Sequence, residues 1–240
     1  MSRIFFNIKV CGKEEHREGF LDGNLFMNTL GYFRNYEEDG AANIGDYHEA
    51  TISLLQPGQF TMTINGYTIP AEDFAGPSVV QYNGHNTLNL LCLYAIHERG
   101  YSFNSDEDFE SFVVDQMMKP EVDGLGEYAA VVVNTKEFQK RVAQAIKGEN
   151  FKAMGSLVDY YNPETFHGTF EESRAIFNKR DVYSHQKEYR FALDRGVEEE
   201  SSYTLKVGSL RDICFGCRTS EVNDLIRSYL YQMKDQGVFG

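Results

Sequence analysis

The stretch Lys179-Arg180-Asp181-Val182-Tyr183-Ser184-His185-Gln186-Lys187-Glu188-Tyr189-Arg190-Phe191-Ala192-Leu193 decides how this chain is read. Taken as a strand, its side chains alternate between two faces. Tyr189, Phe191 and Leu193 make an apolar face, while Gln186, Glu188 and Arg190 make a polar one. An amide, a carboxylate and a guanidinium in a row are unusual on a strand, which is normally poor in such groups. On a solvated face they form an ion-pair ladder. In a cleft they recognise hydroxyls and stabilise developing charge. The pattern predicts that Gln186, Glu188 and Arg190 share one strand face and border the main cleft, with Tyr189 and Phe191 buried behind them.

Outward from this segment the elements alternate irregularly. Arg3 to Val10 reads as a strand, Lys13 to Leu21 as a short helix and Leu25 to Phe33 as a second strand. Asn35 to Tyr47 reads as an acidic loop. Short strands are expected at Ala50 to Leu55, Phe60 to Asn65 and Tyr67 to Pro70, with Asn65-Gly66 as a type I′ hairpin turn. Leu88 to His97 is apolar on both faces. Three helices are expected: one capped by Ser105 and running to Met118, one capped by Asn134 or Thr135 and running to Ile146, and one capped by Ser220 and running from Glu221 to Met233. Between them lie strands at Tyr128 to Val133, Gly155 to Tyr161, Tyr203 to Val207 and Asp212 to Phe215, and a short helix at Glu171 to Phe177. Asp194 to Glu200 reads as a hairpin connection. Without a steady βαβ alternation the order predicts an α+β fold. The expectation is one domain over residues 1–240, with a mixed or antiparallel sheet and peripheral helices. Gly148 is where a two-domain chain would divide.

The formal net charge of −13 disfavours non-specific attraction to nucleic acid and to anionic membrane. It suits a soluble surface, or one that occupies a basic partner protein. Cys214-x-x-Cys217 has no second pair at ligand spacing, so no structural zinc is expected. Asp46-Tyr47-His48-Glu49 holds metal-ligand residue types but has no second cluster, and reads as a solvated loop. No segment approaches the length of a membrane span, and the first residues lack a cleavable leader pattern. The expectation is a cytoplasmic protein with reduced thiols.

Four segments together resemble a broad family of uncharacterised bacterial and phage proteins linked to abortive infection and phage conflict. They are Leu25 to Phe33 followed by Glu37 and Glu38; Asp46 with Glu49; Lys179, Tyr183, Gln186, Glu188, Tyr189 and Arg190; and Gly208-Ser209-Leu210 ahead of the strand at Asp212. The family commonly has an acid where this chain has Gln186. The opening strand–helix–strand and the late Gln186-Lys187-Glu188 also resemble ADP-ribosyltransferases. That resemblance implies a split-sheet cleft for nicotinamide dinucleotide (NAD), with Glu188 as the catalytic acid and Gln186 orienting the acceptor. Arg190, Tyr183, Asn28 and Thr29 would contact substrate. The first-strand basic residue of those enzymes falls at Asn7 or Lys9, and the Ser-Thr-Ser triplet is represented only by Asn28-Thr29. Two functions are therefore expected to compete: an NAD-dependent transferase acting through Glu188, and a non-catalytic acidic protein that binds and blocks a host or defence protein.

Overall fold

The computed structural model describes residues 3–35, 46 and 48–239. The chain opens with β1 (Ile4–Cys11), α1 (Glu14–Leu21), β2 (Asn24–Thr29) and α2 (Leu30–Asn35). Short strands follow, β3 (Thr51–Leu55), β4 (Met62–Ile64), β5 (Tyr67–Ile69) and β6 (Ser78–Gln81), and then the long β7 (Asn89–His97). Next come α3 (Asp106–Gln116), α4 (Pro120–Asp123), β8 (Tyr128–Val132) and α5 (Thr135–Gly148). The last third holds β9 (Lys152–Leu157), β10 (Asp159–Tyr161), β11 (Gly168–Thr169), α6 (Glu172–Ala175), β12 (Asn178–Arg180), β13 (Glu188–Asp194), β14 (Tyr203–Lys206), β15 (Cys214–Arg218) and α7 (Val222–Asp235).

The fold is α+β. Its main sheet runs β14-β2-β7-β1-β8-β15, with β13 on β7 and β9 on β13, and every pairing in it is antiparallel. β7 is the hub. One edge carries β13 from Asn89 to Tyr94. The other edge is shared: β1 pairs with Tyr94 to His97, and β2 with Asn89 and Leu90. Both strands run antiparallel to β7, so they lie end to end along it and diverge from its middle. Among the described residues, Leu91 to Leu93 have no strand partner on that edge, and the sheet is split there.

The start of β2 is fixed by a close backbone contact. Gly23 sits at φ +85°, where an added Cβ would stand 1.8 Å from the Gly208 carbonyl oxygen. Val207 donates its amide to the Gly23 carbonyl (2.9 Å) and Leu210 to that of Leu21 (2.8 Å). This close approach, which only glycine permits, ties the start of β2 to the segment after β14.

The two faces of the sheet are covered differently. Leu91, Leu93, Tyr189, Phe191 and Leu193 pack with Phe20 and Leu21 of α1 and Phe138 and Val142 of α5. On the opposite face, Tyr94 and Ile96 pack under Phe109 and Phe112 of α3 and Val222, Ile226 and Leu230 of α7. Leu90 and Ala192 belong to a smaller cluster with Leu30, Ile176 and Phe177. The three expected helices thus cover the sheet. The Ser105–Asp108 capping box forms, and Asn134 caps α5. Asn65 and Gly66 take positive φ in the β4–β5 hairpin.

Several boundaries differ from the sequence reading. The apolar run Leu25 to Phe33 is half strand and half helix, because the Thr29 hydroxyl accepts the Tyr32 amide (3.1 Å) and starts α2. Gly155 to Tyr161 is broken at Val158, whose amide bonds Glu188, while that of Asp159 bonds Phe177. Asp194 to Glu200 is no hairpin, since β14 pairs with β2 rather than with β13. Ser220 does not cap α7; it lies in a 3-10 turn, Thr219–Glu221. Residues 36–45 and Tyr47 of the expected acidic loop lie outside the described residues. Among those described, no helix is long and apolar enough to cross a membrane.

His97, at the end of β7, accepts the Arg99 amide at Nδ1 (3.2 Å). Burial, then the nearby charges of Arg99 and Lys187, push its pKa down to about 4. The unfolded value is near 6.5, so the fold binds the neutral ring. The stability this gives is present above pH 6.5 and is lost as pH falls toward 4, up to about 3 kcal/mol. His97→Phe is expected to flatten the pH dependence of urea midpoints between pH 6.5 and 4. An unchanged slope would show that His97 is not the titrating group.

Candidate functional site

The site is built around the split. β13 begins at Glu188, and its register on β7 sets Glu188 opposite Tyr94 and Arg190 opposite Cys92. Both side chains therefore leave the sheet on the face between the α3/α7 layer and the smaller cluster around Ile176. They are not solvated. Arg190 is 1% exposed and Glu188 4%. Arg190 donates from Nε to Glu188 Oε1 (2.6 Å) and from Nη2 to Glu188 Oε2 (3.1 Å) and Glu49 Oε1 (2.7 Å). Its remaining terminal nitrogen donates to the Ile176 carbonyl (2.7 Å). Lys179, from β12, stands 3.4 Å from Glu49 Oε2 and 3.6 Å from Glu188 Oε2. Two carboxylates and two cations close a ring whose formal charges sum to zero.

Buried charges persist only when paired and hydrogen-bonded. Burial by itself pushes the Glu188 carboxyl up; Arg190 and Lys179 outweigh it and hold the group well below the usual carboxylate range. Burial works against the charge on Arg190 and on Lys179 as well, and the two carboxylates keep both protonated. Glu188 is therefore an anion at neutral pH and has no proton to give. Cys92 lies beside it, and burial followed by the Glu188 charge pushes its thiol up to about 12.

Glu49 reaches the ring from a turn that sequence reasoning treated as solvated. Asp46 and Glu49 are both 1% exposed. Asp46 pairs with Arg180 (2.6 Å), accepts the His48 amide (2.9 Å) and offers its carbonyl to Glu49. Arg34 of α2 clasps the turn from the other side, donating to the Glu49 and Ala50 carbonyls and to Asn86. Among the described residues no group of three His, Cys, Asp or Glu converges to hold a metal.

A cavity of about 250 Å³ opens over the ring and into the split. Glu49, Lys179, Gln186, Glu188 and Arg190 form its charged floor. Phe26 and Asn28 of β2, Ile8 to Val10 of β1 and Leu90, Cys92, Leu93 and Tyr94 of β7 supply its walls. Lys9 spans the split, donating Nζ to the Cys92 carbonyl (3.3 Å), an acceptor that the missing strand leaves open. A second hollow adjoins at Asn28 and is lined also by Thr29, Tyr32 and Glu200.

The expected site residues fare unequally. Glu188 and Arg190 share a strand face at the cavity, with Tyr189 and Phe191 buried behind. Gln186 is not on the strand. It ends a 3-10 turn, Asp181–Gln186, and Lys187 follows in the left-handed region at φ +38°. Gln186 still reaches the cavity, where its Oε1 accepts from Lys179 (2.8 Å). Asn28 lines the cavity. Tyr183 does not; its ring lies under Lys179 Nζ at 4.9 Å. The Thr29 hydroxyl is taken up at the start of α2. Thr29→Ala is expected to lower stability by about 1 kcal/mol through loss of that cap, measured by urea denaturation. Glu37 and Glu38 lie outside the described residues.

No family model, curated protein or solved structure matches this chain. The site has to be read from its own geometry. Sequence reasoning missed Lys179 and Arg34 as organising groups. No local pattern separates Lys179 from its charged neighbours Arg180 and Lys187, and Glu49, its second carboxylate partner, lies far away in the sequence.

Proposed function

We propose that the split-sheet cavity is the site of an ADP-ribosyltransferase-like enzyme that uses NAD and acts through Glu188. The observation that carries this reading is the divergence of β1 and β2 from one edge of β7, opening a cleft faced by a late-strand glutamate that is held ionised. Loss of nicotinamide leaves positive charge on the ribose, and a fixed carboxylate offsets it. The low pKa of Glu188 suits an electrostatic role and excludes that of proton donor at neutral pH. Gln186, held by Lys179 at the edge of the same cavity, would orient an acceptor on this reading. The cavity holds one ring with its substituent, so the remainder of the dinucleotide would lie outward, past Asn28.

A specific observation favours a second reading. Both oxygens of Glu188 are engaged by Arg190 and Lys179, which leaves little of its charge for a ligand. On this second reading the saturated ring is structural, and the acidic surface implied by a net charge of −13 serves to bind and block a basic host or defence protein. The two readings separate in one experiment. Purified protein is incubated with millimolar NAD, with and without protein and nucleic-acid acceptors, and free nicotinamide is quantified. Release above the spontaneous rate supports the transferase. No binding and no release, together with a salt-sensitive stoichiometric complex with a basic host protein, supports the binder.

A further inference from the structure

The charged floor of the cavity is neutral as a set: Glu49 and Glu188 against Lys179 and Arg190. Lys9 is additional. Its ammonium bonds a backbone carbonyl and, among the described residues, makes no ion pair, so the lining as described carries one surplus positive charge. Lys9 is half-buried in the split, where a charge is screened less than on an open surface. Around it the walls are mainly apolar. At the mouth Phe26, 56% exposed although it lies on a central strand, offers an aromatic face to whatever enters. The cavity of about 250 Å³ falls below the roughly 300–1,000 Å³ of sites that take drug-sized ligands.

We infer that the cavity is a binding site for a small planar monoanion, a single ring bearing one carboxylate, with the ring against Phe26 and the carboxylate on Lys9. This goes beyond the transferase reading and does not depend on it. If the dinucleotide is also bound, such an acid competes with it for the same space.

The test compares two nearly isosteric probes, nicotinate and nicotinamide, by calorimetry at neutral pH on wild type, Lys9→Met and Lys9→Arg, with melting temperatures confirming that each variant is folded. Nicotinate is expected to bind wild type about tenfold more tightly than nicotinamide. Lys9→Met should erase the difference and Lys9→Arg retain it. Equal affinity for the two probes, no binding of either at millimolar concentration, or a preference that survives Lys9→Met would each overturn the inference. Nicotinamide release from NAD is measured separately, so transferase activity without acid selectivity defeats this inference alone. Acid selectivity without release defeats the transferase reading alone.

Discussion

Arg190→Met is expected to cost about 3–5 kcal/mol, enough to unfold much of the population of an ordinary domain. Methionine nearly fills the space, so cavity formation is a minor part of the loss. The major part is electrostatic. Glu49 and Glu188 would share the ring with Lys179 alone, and the Ile176 carbonyl would lose its 2.7 Å donor. Urea denaturation measures the cost. Pairing the change with Glu188→Gln, which returns the ring to one cation and one anion, should recover part of it. A cost below about 1 kcal/mol for Arg190→Met would show that the ring adds little. The pH dependence has a definite sign. The lowered folded pKa of Glu188 gives stability that is present above the unfolded carboxylate range and is lost as pH falls through the folded value. Arg190→Met should weaken that acid sensitivity.

Glu188→Gln is expected to reduce nicotinamide release by about 10²–10³-fold if the transferase reading holds. The amide preserves shape and removes the charge that offsets a cationic sugar. It also leaves two cations facing Glu49 alone, so stability should fall by about 3 kcal/mol. Release must therefore be measured well below the melting temperature, with circular dichroism confirming the fold. Gln186→Ala should reduce transfer to an acceptor more than simple hydrolysis, because its place at the cavity edge suits orientation. A folded Glu188→Gln protein that releases nicotinamide at the wild-type rate would end the case for Glu188.

The parts of this architecture that were legible in the sequence are those set by local period. Tyr189, Phe191 and Leu193 against Glu188 and Arg190 were readable because β13 begins at Glu188 and the alternation is unbroken from there. Gln186 was placed on the right cavity for the wrong reason. A left-handed Lys187 interrupts the strand, and no local pattern announces that a lysine will adopt positive φ. The helices α3, α5 and α7 were readable from caps and stripes. Asp46 and Glu49 were not, because their burial depends on Arg180 and Arg190, more than a hundred residues later in the chain. The split has no signature in the local pattern of the strands. It arises from which edge of β7 two distant strands choose, and strand composition does not encode that choice.

The charge ring also constrains how this protein can change over generations. Glu49, Lys179, Glu188 and Arg190 balance only as a complete set. Any single neutralising substitution leaves a stranded charge in the interior, so the first step away from the ring is penalised even when the destination is a well-packed apolar core. Lineages descending from this sequence should keep all four residues, or replace them in oppositely charged pairs. The same constraint makes the ring a marker for distant kinship: two of the four changing together carries more information than any one of them staying the same.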